Sequence, residues 1–152
     1  MNALDTQFVR ILDEQKVSLT KARQAVFATL LDTHSPLGIR ELIQSCPVID
    51  RASVYRTVTL FEQLGIVQRV YSGWKYRIEL SDIFQAHHHH ATCLGCGETI
   101  ALPKNDAIEQ MFAKLTAAKE FTMTKHILEL QGYCHKCRVS DGTIADIHSN
   151  PT

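Results

Sequence analysis

His87-His88-His89-His90-Ala91-Thr92-Cys93-Leu94-Gly95-Cys96 is the stretch around which the 152-residue chain is organised. Four consecutive histidines run into a Cys-x-x-Cys pair. This concentrates neutral imidazoles and thiolates, the donors that zinc and its neighbours in the transition series prefer. In an extended segment, the period-two alternation of a strand sends His87 and His89 to one side and His88 and His90 to the other, so one run can serve two separate sites.

A second pair, Cys134-His135-Lys136-Cys137, follows later in the chain. Two such pairs present four thiolates to one ion and leave no open position. The expectation is a structural zinc held by Cys93, Cys96, Cys134 and Cys137. A thioredoxin-like redox role needs only one pair in a βαβ setting. The long interval between the pairs means that the zinc pins the first strand of its half to the last, and its removal should unfold that half.

Other donors stand ready for the histidines. His87, His89, Glu109 and His126 make a mixed nitrogen and oxygen set suited to Zn²⁺, Fe²⁺, Mn²⁺ or Ni²⁺. His88 and His90 face the other way, toward Glu79, and a metal held by these three bridges the two halves of the chain. His34, beside the Ser35-Pro36 break, is a further candidate for the bridging site, although a histidine so placed is more often a surface residue. His135 and His148 are read as bystanders.

Working outward toward the N-terminus, Leu4 to Lys16 reads as an amphipathic helix. Thr20 caps a second helix, Lys21 to Leu31, and a third runs from about Gly38 to Ser45 before Pro47. Asp50 caps a fourth, 51–64, with Val54, Val58, Phe61 and Leu64 inward and Gly65 as its stop. Its opposite face carries Arg51, Ser53, Tyr55, Arg56 and Thr57. Residues 66–80 alternate about a turn at Ser72-Gly73, with Trp74, Tyr76 and Ile78 after it, which reads as a β-hairpin. Helices followed by a hairpin is the order of a winged helix-turn-helix, with 51–64 as recognition helix and 66–80 as wing. Arginine there can meet phosphate or guanine, serine or threonine can meet phosphate, and the Tyr55 ring can lie against a thymine methyl.

Toward the C-terminus, residues 81–86 look like a hinge. Thr99 to Leu102 suits a short strand ended by Pro103, and Asn105 or Asp106 caps a helix to about Ala118 with Ile108, Met111, Phe112 and Leu115 inward. Phe121 to Leu130 returns as strand, broken by Gly132, and the polar tail from Ser140 is expected to be loosely held. The expected fold class is therefore α+β, an N-terminal winged helix-turn-helix over residues 1–82 followed by a small α/β half over 83–152 with its four-cysteine zinc site.

Composition bounds the partners. The chain carries 16 basic and 16 acidic residues, so no gross positive charge announces nucleic acid. Residues 1–82 hold ten Lys/Arg against nine Asp/Glu and residues 83–152 hold six against seven, so any DNA contact must come from a local patch. No apolar run approaches the roughly 18 residues of a membrane span, and the start Met1-Asn2-Ala3-Leu4-Asp5 lacks the regions of a signal peptide, so a cytoplasmic protein without a membrane partner is expected. In a reducing compartment paired cysteines read as metal ligands, and Cys46 as a small buried hydrophobe.

These residues together resemble the ferric uptake regulator family of metal-dependent repressors over nearly the whole chain. The matching motifs are Leu19-Thr20-Lys21-Ala22-Arg23, Ala52-Ser53-Val54-Tyr55-Arg56 with Gly65-Ile66-Val67 after it, His87–His90 before Cys93-x-x-Cys96, then Glu109, His126 and Cys134-x-x-Cys137. The resemblance implies a homodimer, joined through a small α/β dimerisation domain over residues 83–152, that binds a palindromic double-stranded operator when a regulatory metal fixes the spacing of its two winged helices. It implies operator contacts at Tyr55 and Arg56, a phosphate contact at Arg23, an interdomain sensing site at Glu79, His88 and His90, and a second metal site at His87, His89, Glu109 and His126. The chain departs from the pattern at Pro36, just before Leu37, where the family often has a histidine, and at Ala101, where it often has a carboxylate. His89, where an aspartate is common, leans toward zinc sensing, and Glu79, where zinc sensors often carry cysteine, leans back toward iron.

The expected function is thus a metal-responsive repressor, most simply of iron uptake, with zinc uptake control as the alternative. No small organic substrate is expected. A zinc hydrolase built on the histidine and Glu109 cluster is a remote rival, because no His-Glu-x-x-His helix and no evident substrate cleft accompany it.

Overall fold

The computed structural model of the chain describes residues 3–33, 35–72 and 75–140. Four helices come first: α1 (Ala3–Glu14), α2 (Lys21–Asp32), α3 (Ile39–Ser45) and α4 (Arg51–Gln63). Their limits follow from local chemistry. The Thr20 hydroxyl accepts from the Arg23 amide at 3.4 Å to open α2, and the Asp50 carboxylate accepts from the Ser53 amide at 2.9 Å to open α4. Gly65 ends α4 at φ 67°, where its own amide donates to the Glu62 carbonyl and the Ile66 amide donates to that of Phe61. This paired closure is the Schellman pattern, and the left-handed residue it needs is cheapest as glycine.

Apolar stripes from these helices meet in one core. Phe8 stacks on Phe27 with ring centroids 4.0 Å apart and meets Phe61 edge-on at 5.5 Å. Strands β1 (Val67–Ser72) and β2 (Lys75–Leu80) form an antiparallel hairpin that closes the core with Val67, Ile78 and Leu80. Leu37 adds a single bridge to Ile78, exchanging hydrogen bonds of 2.9 and 2.7 Å. Phe84 also belongs to this core and packs on Phe27 at 5.0 Å, although it lies beyond residue 82. Gly73 of the expected turn, Trp74 after it, His34, and the tail that holds His148 lie outside the described residues.

The second half is built on β3 (His88–Cys93), β4 (Thr99–Pro103), α5 (Asp106–Ala117), β5 (Glu129–Gly132) and α6 (His135–Ser140). β3 is central, antiparallel to β4 and parallel to β5. The Asn105 side chain accepts from the amides of Ala107 and Ile108 to open α5.

Three expectations for this half are corrected. The strand expected from Phe121 to Leu130 shrinks to Glu129–Gly132, because among the described residues it pairs with β3 alone and the register joins His90 to Glu129 and Cys93 to Gly132. Among the described residues, 121–127 find no strand partner, Leu128 gains only the bond its carbonyl accepts from the His90 amide at 3.5 Å, and β5 ends at Gly132 ahead of the cysteines as expected. The apolar stripe of α5 was expected to face inward, yet no residue of α5 is buried, and Leu115 is 60% exposed. The short helix α6 was not foreseen. Among the described residues, no helix is long and apolar enough to cross a membrane.

Candidate metal centres

β3 carries the histidines as an extended segment, and the pleat divides them as its period requires. His88 and His90 turn toward β2. His89, with His87 just before the strand, turns toward α5. The structure brings together three donor groups, within each of which the candidate ligand atoms lie within 4.8 Å of one another.

The first group is Cys93, Cys96, Cys134 and Cys137. Zinc–sulfur bonds of about 2.3 Å set tetrahedral edges of about 3.8 Å, and Cys96 Sγ lies 3.8 Å from Cys134 Sγ. The Cys134 amide donates to Cys93 Sγ at 3.3 Å, and together with the amides of Cys96 and Gly95 it lowers the Cys93 thiol to about 6. Cys137 is pushed up to about 12 by the crowding of Cys134 and then Cys93. Four thiols this close cannot all ionise unless a cation compensates them, and a divalent soft cation fits the set. Gly95 is part of this packing, since a β-carbon there would stand 2.9 Å from both Cβ and Sγ of Cys137.

The second group is His87, His89, Glu109 and His126. Glu109 Oε1 lies 3.1 Å from His89 Nε2 and 3.5 Å from His87 Nε2, Glu109 Oε2 lies 3.4 Å from His126 Nε2, and the Nε2 atoms of His87 and His126 are 3.4 Å apart. Metal bonds of about 2.0–2.2 Å to nitrogen and oxygen set tetrahedral edges of about 3.3–3.6 Å, so the set fits a borderline divalent ion. His126 reaches the group from the segment before β5, not from a strand as expected.

The third group spans the two halves. Glu79 of β2 offers Oε2 to His88 Nε2 at 3.2 Å and to His90 Nε2 at 3.0 Å, while its Oε1 accepts from Gln68 Nε2 at 2.8 Å. Glu79 is only 6% exposed. Burial is the largest influence on its carboxyl and pushes the pKa up, but the bonds from His90 and Gln68 and the charge of both rings outweigh it and hold the group below the ordinary carboxylate range. A buried carboxylate kept ionised beside two imidazoles is a donor set that suits a divalent cation. The two further positions weighed from the sequence add nothing here, since Pro36 and Ala101 carry no donor.

Residues that the sequence reading missed support these groups. Gln68 is the cross-strand partner of Glu79, which the hairpin register would have revealed. Asp82, in the segment read as a hinge, places Oδ2 2.7 Å from His87 Nδ1. Glu129 Oε1 accepts from the Tyr71 amide at 2.6 Å and so ties β5 to the hairpin.

Away from these donor groups, the exposed side of α4 presents Arg51, Tyr55 and Arg56, with Ser53 half-buried among them. Arg56 donates to Ser53 Oγ at 2.9 Å, and the Arg51 guanidinium lies 5.6 Å from the Tyr55 ring centroid. Arg23 donates to the carbonyl of Ser18 and shares a cleft between α2 and α4 with Ser53 and Arg56. Thr57 departs from the expectation that it sits on this outer face. It is 5% exposed, one helical turn from Val54 and Phe61 and therefore on the core side.

Comparison with known proteins follows the same outline. The model of the ferric uptake regulator family matches residues 14–131. The ferric uptake regulation protein of Vibrio cholerae serotype O1 is 39% identical over 108 residues, 70% of this chain and 67% of that protein. The peroxide-responsive repressor PerR of Staphylococcus epidermidis is 30% identical over 130 residues, 80% of this chain and 82% of that one. The crystal structure of the Vibrio cholerae ferric uptake regulator, described as revealing a rearrangement of its DNA-binding domains, superposes with a TM-score of 0.69 at 32% identity, over 82% of this chain and 98% of that one.

Proposed function

Because the chain belongs to the ferric uptake regulator family, we propose that it is a cytoplasmic, homodimeric repressor that binds a palindromic operator when a divalent metal occupies the site of Glu79, His88 and His90, and that it controls iron uptake. The observation that carries this reading is the division of one histidine run across β3, with two rings facing a buried carboxylate of the winged helix and the others facing Glu109. In this reading residues 1–82 bind DNA and residues 83–152 dimerise, with Phe84 still fastened to the first part.

The four cysteines hold a structural zinc that closes β3 against the segment after β5. Glu79, His88 and His90 hold the regulatory ion, Fe²⁺ in the first reading, with Mn²⁺ or Ni²⁺ able to substitute. His87, His89, Glu109 and His126 hold a second ion. A metal supplies a positive centre that all three donors of the interdomain site can face at once. The protein's own contribution is to place Glu79 on the hairpin and the rings on β3, so that the arrangement with both in register binds the ion more tightly than any open one. A ligand shifts a two-state equilibrium only through such a difference, and moving it from 1:99 to 99:1 takes about 10⁴-fold, or about 5.5 kcal/mol.

Dimerisation is supported by what the second half leaves uncovered. Leu115 on α5, Ile100 on β4 and Ile127 before β5 are all exposed, the last at 69%. A second copy of the same half is the natural cover, and two-fold symmetry in the protein matches a palindrome in the DNA. Arg51, Ser53, Tyr55 and Arg56 meet the major groove and Arg23 a phosphate.

Control of zinc uptake is the second reading, favoured by the three imidazoles of the Glu109 cluster. The relatives are regulators by name and not enzymes, which leaves the hydrolase reading without support. The deciding experiment measures affinity for a palindromic duplex, selected from a random pool, with the apo protein and with buffered Fe²⁺, Mn²⁺ or Zn²⁺. Metal should tighten binding, and equal affinity with and without metal would remove the switch.

A further inference from the structure

We infer that Asp82 is a positioning residue for the second metal cluster: it holds His87 in the tautomer that turns the Nε2 lone pair toward His89, Glu109 and His126. The inference rests on the reading of those four residues as metal ligands. Asp82 Oδ2 stands 2.7 Å from His87 Nδ1, the ring nitrogen that faces away from the cluster, while His87 Nε2 stands 3.4 Å from His126 Nε2 and 3.5 Å from Glu109 Oε1. A neutral imidazole has one N–H and one lone pair, so donation of Nδ1–H to a carboxylate leaves Nε2 as the only acceptor. Carboxylate–histidine–metal chains are used in this way to fix ring orientation and raise the basicity of the ligand.

The placement of Asp82 gives the contact its interest. All four cluster residues lie between positions 87 and 126, whereas Asp82 is fastened to the winged helix. Its neighbour Ser81 donates from Oγ to the Gly65 carbonyl at 2.6 Å and from its amide to the Ile66 carbonyl at 2.9 Å, and Phe84 donates to the Ser81 carbonyl at 2.9 Å while its ring sits in the N-terminal core. The carboxylate therefore reaches from the first half of the chain to the outermost ring of a cluster otherwise made by the second. Asp82 is 41% exposed and packs in no core, so its replacement leaves the fold intact.

The test titrates the zinc-loaded full chain with Co²⁺ and follows the part of the cobalt absorption that Glu109→Ala removes, which reports this cluster. Asp82→Ala should weaken cobalt binding there by about 10- to 100-fold, the usual cost of losing such a partner. Asp82→Glu should recover part of the loss, and the cobalt bound at Glu79, His88 and His90 should not change. In the apo protein at about pH 8, above the ordinary imidazole range, nitrogen NMR should find His87 protonated at Nδ1, and Asp82→Ala should move the proton toward Nε2. Unchanged cobalt affinity or an unchanged tautomer in Asp82→Ala would overturn the inference alone. A wild-type chain with no Glu109-dependent cobalt signal would overturn the reading of the cluster as a metal site, and this inference with it.

Discussion

Replacing Glu79 by glutamine tests the interdomain site at the point where the two halves meet. In the native chain one carboxylate oxygen lies 3.0 Å from His90 Nε2 and 3.2 Å from His88 Nε2, and the other accepts from Gln68 at 2.8 Å. Glutamine keeps the shape, and its carbonyl keeps the bond from Gln68. It lacks the negative charge, and its amide nitrogen stands where Oε2 faced the two rings, so no donor atom remains there for a divalent ion. Alanine is a blunter change, because it also strands the Gln68 amide and costs about 1–3 kcal/mol of stability. With glutamine the fold survives and the switch alone is lost.

If the metal couples to DNA with the usual allosteric energy of about 1–3 kcal/mol, operator affinity in saturating Mn²⁺ should fall by about 5- to 150-fold in Glu79→Gln. In chelator it should equal that of the wild type. Fluorescence anisotropy on a selected palindromic duplex measures both, and elemental analysis should show the structural zinc retained. Full metal stimulation in Glu79→Gln would refute the assignment of this site as the sensor.

Further outcomes follow from other contacts. Gly95→Ala places a methyl group against Cys137, so zinc content and melting temperature should both fall, and a variant with wild-type zinc content would contradict the packing. Arg56→Ala should cost about 1–3 kcal/mol of operator binding at saturating metal, whereas Thr57→Val should leave operator affinity unchanged because Thr57 lies on the core side of α4; titration of both variants in parallel checks this. Glu120 holds φ 55° at the end of α5, so Glu120→Gly should stabilise the chain by up to about 1 kcal/mol in a denaturant melt, the left-handed penalty of about 1–2 kcal/mol less the entropy of glycine.

The parts of this molecule that were legible in its sequence are those decided by neighbours in the chain. Thr20, Asp50 and Gly65 mark helix ends because a cap bonds to residues two to four positions away. The two faces of the histidine run follow from the pleat alone. What escaped depends on partners distant in sequence. Phe121 to Ile127 alternates well enough for a strand, but a strand needs a neighbour, and β3 is occupied by β5 only from Glu129 onward. The α5 stripe has a helical period whether its cover is this chain or a second copy, so Met111 and Leu115 looked buried and are not. Thr57 was grouped with Arg56 by chemistry, although position 57 falls on the side of Val54 and Phe61. Gln68 and Asp82 are ordinary polar residues until the register of β1 with β2 and the turn after Ser81 set them against Glu79 and His87.

If metal and DNA select the same arrangement of the two halves, thermodynamic linkage makes the effect mutual. The most direct test measures the affinity of the Glu79, His88 and His90 site for Mn²⁺ with and without saturating operator duplex. DNA should tighten metal binding by the same factor by which metal tightens DNA binding. A metal affinity indifferent to the operator would contradict it.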